Sequence, residues 1–284
     1  MDDPSLVWLL LAAAAGIGGW LLGRQAGRHE RPPGSRDYQL GLDHLLHGRL
    51  DAALKVLDGV AAGDDDALEL QFALGSLFRK RGEVDRATGL HELLVNHQSG
   101  LVRERARFEL ALDFVAAGLF DRAEQRLQQL AAAGPYRVSA QLQLLRLCEI
   151  QSDWLGALRL HQELPAAVQR ERSAIAAHYL CELVDQALLT GEAGRAADLL
   201  DEAGRYAADS PRIAFLRARL ADKAGSATAA QGFYQRAGEL RPALRASLEE
   251  PAAQFRCEEC GFDSGAWLWR CPRCYSWDRF AKRG

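Results

Sequence analysis

An all-α repeat array is the fold class that this 284-residue sequence predicts, on three observations. A glycine followed five residues later by alanine recurs at Gly48/Ala53, Gly82/Ala87, Gly118/Ala123, Gly191/Ala196 and Gly225/Ala230, and Ser152/Ala157 completes the series. Successive pairs are 34, 36, 34, 39 and 34 residues apart. Small residues upstream (Gly41, Gly75) and leucines downstream (Leu57, Leu127, Leu200) keep the same register.

A period of 34 residues is that of the tetratricopeptide repeat, two antiparallel helices joined by a tight turn. Each position has a physical reason. The glycine ends the first helix, where a left-handed backbone costs it little. The alanine lets the second helix approach the first closely, and the leucine fills the space beyond it. Six units from about residue 35 to 242 cover the middle of the chain. Arrays of this kind form superhelical solenoids with a concave groove, and by analogy of fold they bind peptides or proteins.

The N-terminus predicts a membrane anchor. Residues 5–23 (SLVWLLLAAAAGIGGWLLG) carry no charge, and Trp8 and Trp20 stand near the two ends. As a helix the stretch would measure about 28 Å, close to the hydrocarbon thickness of a bilayer. A cleaved signal peptide needs a basic leader, and here Asp2 and Asp3 precede the span. Arg24, Arg28, Arg31 and Arg36 follow it, so the positive-inside rule leaves residues 1–4 outside and the rest cytoplasmic. Residues 24–34 then form a basic linker ending in Pro32-Pro33-Gly34. A formal net charge of −3 and a pI near 6.2 give no general attraction to nucleic acid.

Several residues invite chemistry and do not carry it. In His91-Glu-Leu-Leu-Val-Asn-His97 the histidines are six apart, whereas a zinc-protease helix needs them four apart on one face. His44 and His47 have no ligand partners nearby in sequence and read as structural. Cys148 and Cys181 read as small buried hydrophobes in repeat helices. Arg79-Lys80-Arg81 reads as a solvated helix end that suits the helix dipole. No nucleophile elbow, phosphate loop or triad pattern is present, so the sequence predicts no enzyme.

Residues 243–253 are expected to link the array to a module at 254–284 that holds four of the six cysteines. Cys257, Cys260, Cys271 and Cys274 form two Cys-x-x-Cys pairs ten residues apart. Each pair places two thiolates on one side of a metal, and two pairs complete a tetrahedral shell. Gly261 permits a bend after the first pair, Pro272 stiffens the second, and Asp263–Trp269 is long enough for a tight hairpin between them. Disulfides suit neither this pattern nor a reducing compartment, and dithiol redox chemistry would want a βαβ context. A module of about thirty residues cannot bury enough surface to fold alone, so a bound metal would supply its folding energy. Both iron and zinc accept four thiolates. Phe255, Phe262, Trp267, Trp269, Tyr275, Trp277 and Phe280 would pack around the knuckles or dock the module. Arg270, Arg273 and Arg279 are balanced by Glu258, Glu259, Asp263 and Asp278, which argues against a nucleic-acid ribbon.

The order of anchor, array and four-cysteine module resembles the lipopolysaccharide assembly protein B family of Gram-negative bacteria. The resemblance rests on Ser35–Tyr38 (SRDY), Gly75–Ala87 (GSLFRKRGEVDRA), Ala116–Glu124 (AAGLFDRAE) and the ending C-x-x-C-G-F…W-x-C-P-x-C-x-x-W. It implies a non-enzymatic inner-membrane scaffold that controls lipopolysaccharide levels. Such a protein promotes turnover of the lipid A-committing deacetylase by a membrane-anchored AAA+ protease and gathers lipopolysaccharide biosynthesis and transport proteins. It also implies that Cys257, Cys260, Cys271 and Cys274 are rubredoxin-like ligands, usually of iron. The array is shorter than the family's, with repeats lacking between the sixth unit and the module. Two other functions fit the residues: electron transfer by a rubredoxin centre on a scaffold, and a generic membrane-tethered adaptor.

Overall fold

The computed structural model describes residues 65–250 and 253–283, with scattered positions between 40 and 56. The expected span 5–23, the linker 24–34 and most of the first repeat lie outside the described residues. Among the described residues no helix is long and apolar enough to cross a membrane.

The chain forms two compact units, divided at Ala116. In the first, helices α1 (Asp65–Lys80), α2 (Val84–Val95) and α3 (Gly100–Ala116) pack in succession, and α1 also meets α3. The second unit contains α4 (Phe120–Ala132), α5 (Arg137–Gln151), α6 (Trp154–Glu163), α7 (Ala166–Glu171), α8 (Ser173–Thr190) and α9 (Ala193–Tyr206). It continues with α10 (Pro211–Lys223), α11 (Ala227–Leu240) and α12 (Pro242–Glu249). Here α8 contacts both α9 and α10, the neighbour-to-neighbour pattern of a tetratricopeptide-like solenoid.

The repeated small residues do what their spacing implies. Ala53, Ala87, Ala123, Ala157 and Ala196 are fully buried and Ala230 is 2% exposed, so larger side chains there would overpack the helix pairs. Gly82, Gly118, Gly191 and Gly225 turn with φ between +73° and +82°. Ser152, standing where the series lacks a glycine, takes the same left-handed conformation at φ +58°. The long 39-residue step is explained by α7, a short extra helix between the fourth and fifth pairs. Most of the expected linker 243–253 is helical, as α12.

Arg79 departs from its expected role as a solvated helix end. Its guanidinium donates to Asp113 Oδ1 at 2.7 Å and to Glu109 Oε2 at 2.6 Å. Asp113 also accepts from His91 Nδ1 at 2.5 Å, and both partners are fully buried. His91 fits because Gly75 faces it: a Cβ there would lie 2.3 Å from His91 Nε2. His91 is therefore a packing and hydrogen-bonding residue, and no second histidine joins it.

The C-terminal module is the one part of the described chain that is not helical, a departure from all-α. Three short strands, β1 (Phe255–Cys257), β2 (Asp263–Ser264) and β3 (Phe280–Lys282), form an antiparallel sheet in the order β2-β1-β3. Phe255, Cys257, Cys271 and Phe280 are its buried core.

Candidate metal centre

The module brings all four predicted thiols together. Cys257 and Cys260 flank a turn in which the Gly261 amide donates to the Cys257 carbonyl at 2.9 Å. Cys271 and Cys274 repeat it, with the Tyr275 amide donating to the Cys271 carbonyl at 2.9 Å. The four sulfur atoms lie within 4.8 Å of one another. The Sγ atoms of Cys257 and Cys274 are 3.7 Å apart, and those of Cys260 and Cys271 are 3.6 Å apart. A tetrahedral metal with bonds of about 2.3 Å to sulfur sets its ligands about 3.8 Å apart. The donor set and its spacing therefore fit one tetrahedral ion.

The thiols are not equivalent. Burial pushes Cys260 up to about 12 and raises Cys257 as well. Burial also acts to raise Cys274, but hydrogen bonds from the Ser276 hydroxyl and backbone, and from Cys260 and Cys271, bring it down to about 6. The Ser276 hydroxyl lies 3.3 Å from Cys274 Sγ, placed to donate to the thiolate. Cys148 and Cys181 stand apart from this cluster. Burial raises them to about 11 and about 12, which keeps them protonated and unreactive at neutral pH. Cys181 is buried as its sequence context implies, whereas Cys148 is only half-buried.

The second knuckle is docked on the helices. Trp277 packs against the core that α5, α6, α8 and α10 share. Its ring stacks on His178 at 4.8 Å and meets Trp154 and Tyr179 edge-on. Next to it, Asp278 Oδ2 accepts from His178 Nε2 at 2.9 Å. Arg212 of α10, 2% exposed, pairs with Glu182 at 2.8 Å and Asp185 at 3.1 Å. Its guanidinium lies 5.6 Å from the ring centre of Trp269 and 5.7 Å from that of Trp277. Arg270 donates to the Glu149 carbonyl at 2.8 Å, and Arg241 donates to the carbonyls of Asp278 and Phe280 at 2.7 and 3.1 Å. Trp267 and Trp269 complete the contact against Phe215, Ala214, Ala237 and Leu244.

The aromatics predicted to pack or dock thus divide. Phe255 and Phe280 fill the module, Trp269 and Trp277 face the helices, and Trp267 does both. Their receptors, His178, Tyr179, Arg212 and Trp154, were not legible as a site. The available signal was a run of large polar and aromatic residues at helix positions where a repeat otherwise needs only apolar ones.

Fold and site together define a tetratricopeptide-like helical-repeat protein with a rubredoxin-type four-thiol module docked on its C-terminal helices. Residues 255–282 match the family described as the rubredoxin metal binding domain. The chain is 33% identical over 221 residues to lipopolysaccharide assembly protein B of Escherichia coli (strain K12), covering 76% of this chain and 57% of that protein. It is 30% identical over 230 residues to the Haemophilus influenzae protein of the same name, covering 76% and 58%. The chain belongs to the lipopolysaccharide assembly protein B family and spans rather more than half the length of these relatives. Among solved structures, MamA from Desulfovibrio magneticus RS-1 aligns at 14% identity with a TM-score of 0.44, covering 64% of this chain and 98% of that one. The fold assignment rests on the helix pairs, not on that likeness.

Proposed function

We propose that this chain is a non-enzymatic scaffold of the bacterial inner membrane that restrains lipopolysaccharide synthesis. In this reading residues 5–23 anchor it and the described residues stand in the cytoplasm. It presents the lipid A-committing deacetylase to a membrane-anchored AAA+ protease and gathers lipopolysaccharide biosynthesis and transport proteins. The supporting observation is the docked module. Four thiols with tetrahedral spacing hold a knuckle whose Trp277 is seated in the helical core, so a bound ion would fix the end of a binding surface. Cys257, Cys260, Cys271 and Cys274 would hold iron, or zinc, and the ion would supply the folding energy that so small a sheet lacks. A tether close to the membrane raises the array's effective concentration near membrane-bound partners.

Replacing all four cysteines by serine is expected to abolish metal binding and to slow deacetylase turnover in cells. Wild-type turnover in that variant would contradict a regulatory role for the module. Crosslinking and mass spectrometry in native membranes should recover the protease, and its consistent absence would leave only a generic adaptor. The four-thiolate set also favours a second reading, one-electron transfer, which a chain purified with zinc alone would exclude.

A further inference from the structure

The groove between helices α5 and α8 and the second knuckle contains a cleft of about 490 Å³. Its walls include Gln143, Arg146 and Arg172 from the helices and Tyr275 and Arg279 from the module. Three features of this cleft bear on what it could hold.

The first is its charge. The chain carries a net charge of −3, yet Arg146, Arg172 and Arg279 line this cleft against only Glu149 and Glu259, and Glu149 is also paired with Arg270 outside the lining. Glu259 is taken by Arg279 at 3.2 Å. Glu149 is shared between Arg270 at 3.6 Å, Arg172 at 3.9 Å and the Tyr179 hydroxyl. Arg146 is exposed and pairs with no acid among the described residues. The second feature is Arg172, whose side chain stays 27% exposed at the cleft and reaches Glu149 only at 3.9 Å. The third is Tyr275. It sits at φ +61°, the backbone position that Gly261 holds in the first knuckle at φ +71°. An L-residue is costly there and persists where the side chain is needed. The residue is 38% exposed and lines the cleft, and its ring centre lies 4.8 Å from the Arg270 guanidinium.

We propose that this cleft recognises an acidic side chain on an extended peptide segment of a partner protein, with Arg146 and Arg172 as the carboxylate's donors and Tyr275 as the flat wall for its apolar neighbour. Planar guanidinium groups match a carboxylate by paired, charge-assisted hydrogen bonds. The excess positive charge is local and small, which suits one or two acids rather than a nucleic acid backbone or a lipid surface. This deepens the scaffold reading by stating what a client must present, and it depends on no particular client.

The test uses the purified full-length, metal-loaded chain and a positional-scanning hexapeptide library. The expected result is enrichment of Asp or Glu at one position by about tenfold over Asn or Gln, the scale of one hydrogen bond to a charged group. Arg146→Glu, at an exposed and unpaired position, should abolish that preference while retaining one metal per chain. Tyr275→Gly should weaken selection at the adjoining apolar position and leave metal content unchanged. Enrichment of basic or apolar residues alone, no enrichment, or an acidic preference that survives Arg146→Glu would overturn the proposal. Deacetylase turnover is read separately, so failure here and failure of the scaffold reading are distinguishable.

Discussion

The first knuckle, Cys257–Gly261, and the second, Cys271–Tyr275, are built on one backbone plan. In each, the first cysteine's amide donates at 2.9 Å to a carbonyl five residues on, Phe262 in one and Ser276 in the other. Each then turns through a left-handed residue after its second cysteine. They differ in what surrounds them. The first carries the exposed acids Glu258 and Glu259 and turns on glycine. The second turns on tyrosine and continues into Trp277 and Asp278, which seat in the helices. Metal ligation needs only what the two knuckles share. What they do not share marks the face by which the module belongs to the array.

The ligand role should be symmetric. Serine at Cys257 or at Cys274 is expected to abolish stoichiometric metal and unfold the module alike, since metal and folding free energy are here one quantity. Metal analysis and near-ultraviolet circular dichroism would show this, and a variant retaining the ion would exclude that cysteine as a ligand. Packing should be asymmetric. Trp277→Ala is expected to cost about 3 kcal/mol, at the low end for aromatic truncation because the ring is only partly buried, and Phe262→Ala less, since its ring packs only within the small module. Denaturant unfolding of the second unit would read both, and equal losses would place the docking energy elsewhere.

Turn geometry gives a smaller contrast. Gly261→Ala should destabilise the module by about 1 kcal/mol, and Tyr275→Gly should relieve a similar strain. Opposite shifts in the thermal midpoint are the expected outcome. Protonation gives the finest contrast. In the metal-free chain Cys274, at about 6 against an ordinary 9, adds stability that is complete above pH 9 and lost as pH falls through 6. Cys260, at about 12, contributes oppositely: its share is complete below pH 9 and lost as pH rises through 12. Because the ion binds thiolates, metal uptake near pH 7.5 should release about three protons and near pH 5 about four. Calorimetry in buffers of different ionisation enthalpy would count them, and Ser276→Ala, which removes the hydroxyl's hydrogen bond but not those of the backbone, Cys260 and Cys271, should narrow the difference.

The repeat was legible because a solenoid writes its packing at a fixed period. Six buried alanines and a left-handed Ser152 in place of glycine follow directly from spacing. The four-thiol cluster was legible because metal geometry demands fixed short intervals, and the structure brings these four sulfur atoms together. The docking was not, because His178 and Asp278 stand 100 residues apart and no local pattern links them. Arg79 was misread for the same reason: its partners Glu109 and Asp113 lie a full repeat away, and burial, not helix-end chemistry, decides its role. Helix α12 hid within a segment whose proline and short length resemble a linker, although Pro242 sits at the first turn of a helix, where proline is tolerated.

Hydrogen exchange by mass spectrometry, with the full chain compared before and after removal of its metal, tests the central claim most directly. If the ion holds a knuckle that the helices grip, chelation should remove protection from residues 253–283. It should also remove protection around His178, Tyr179 and Arg212, while α1 to α3 keep theirs. Loss confined to the module, with α8 and α10 unchanged, would contradict the claim that the metal centre braces the array.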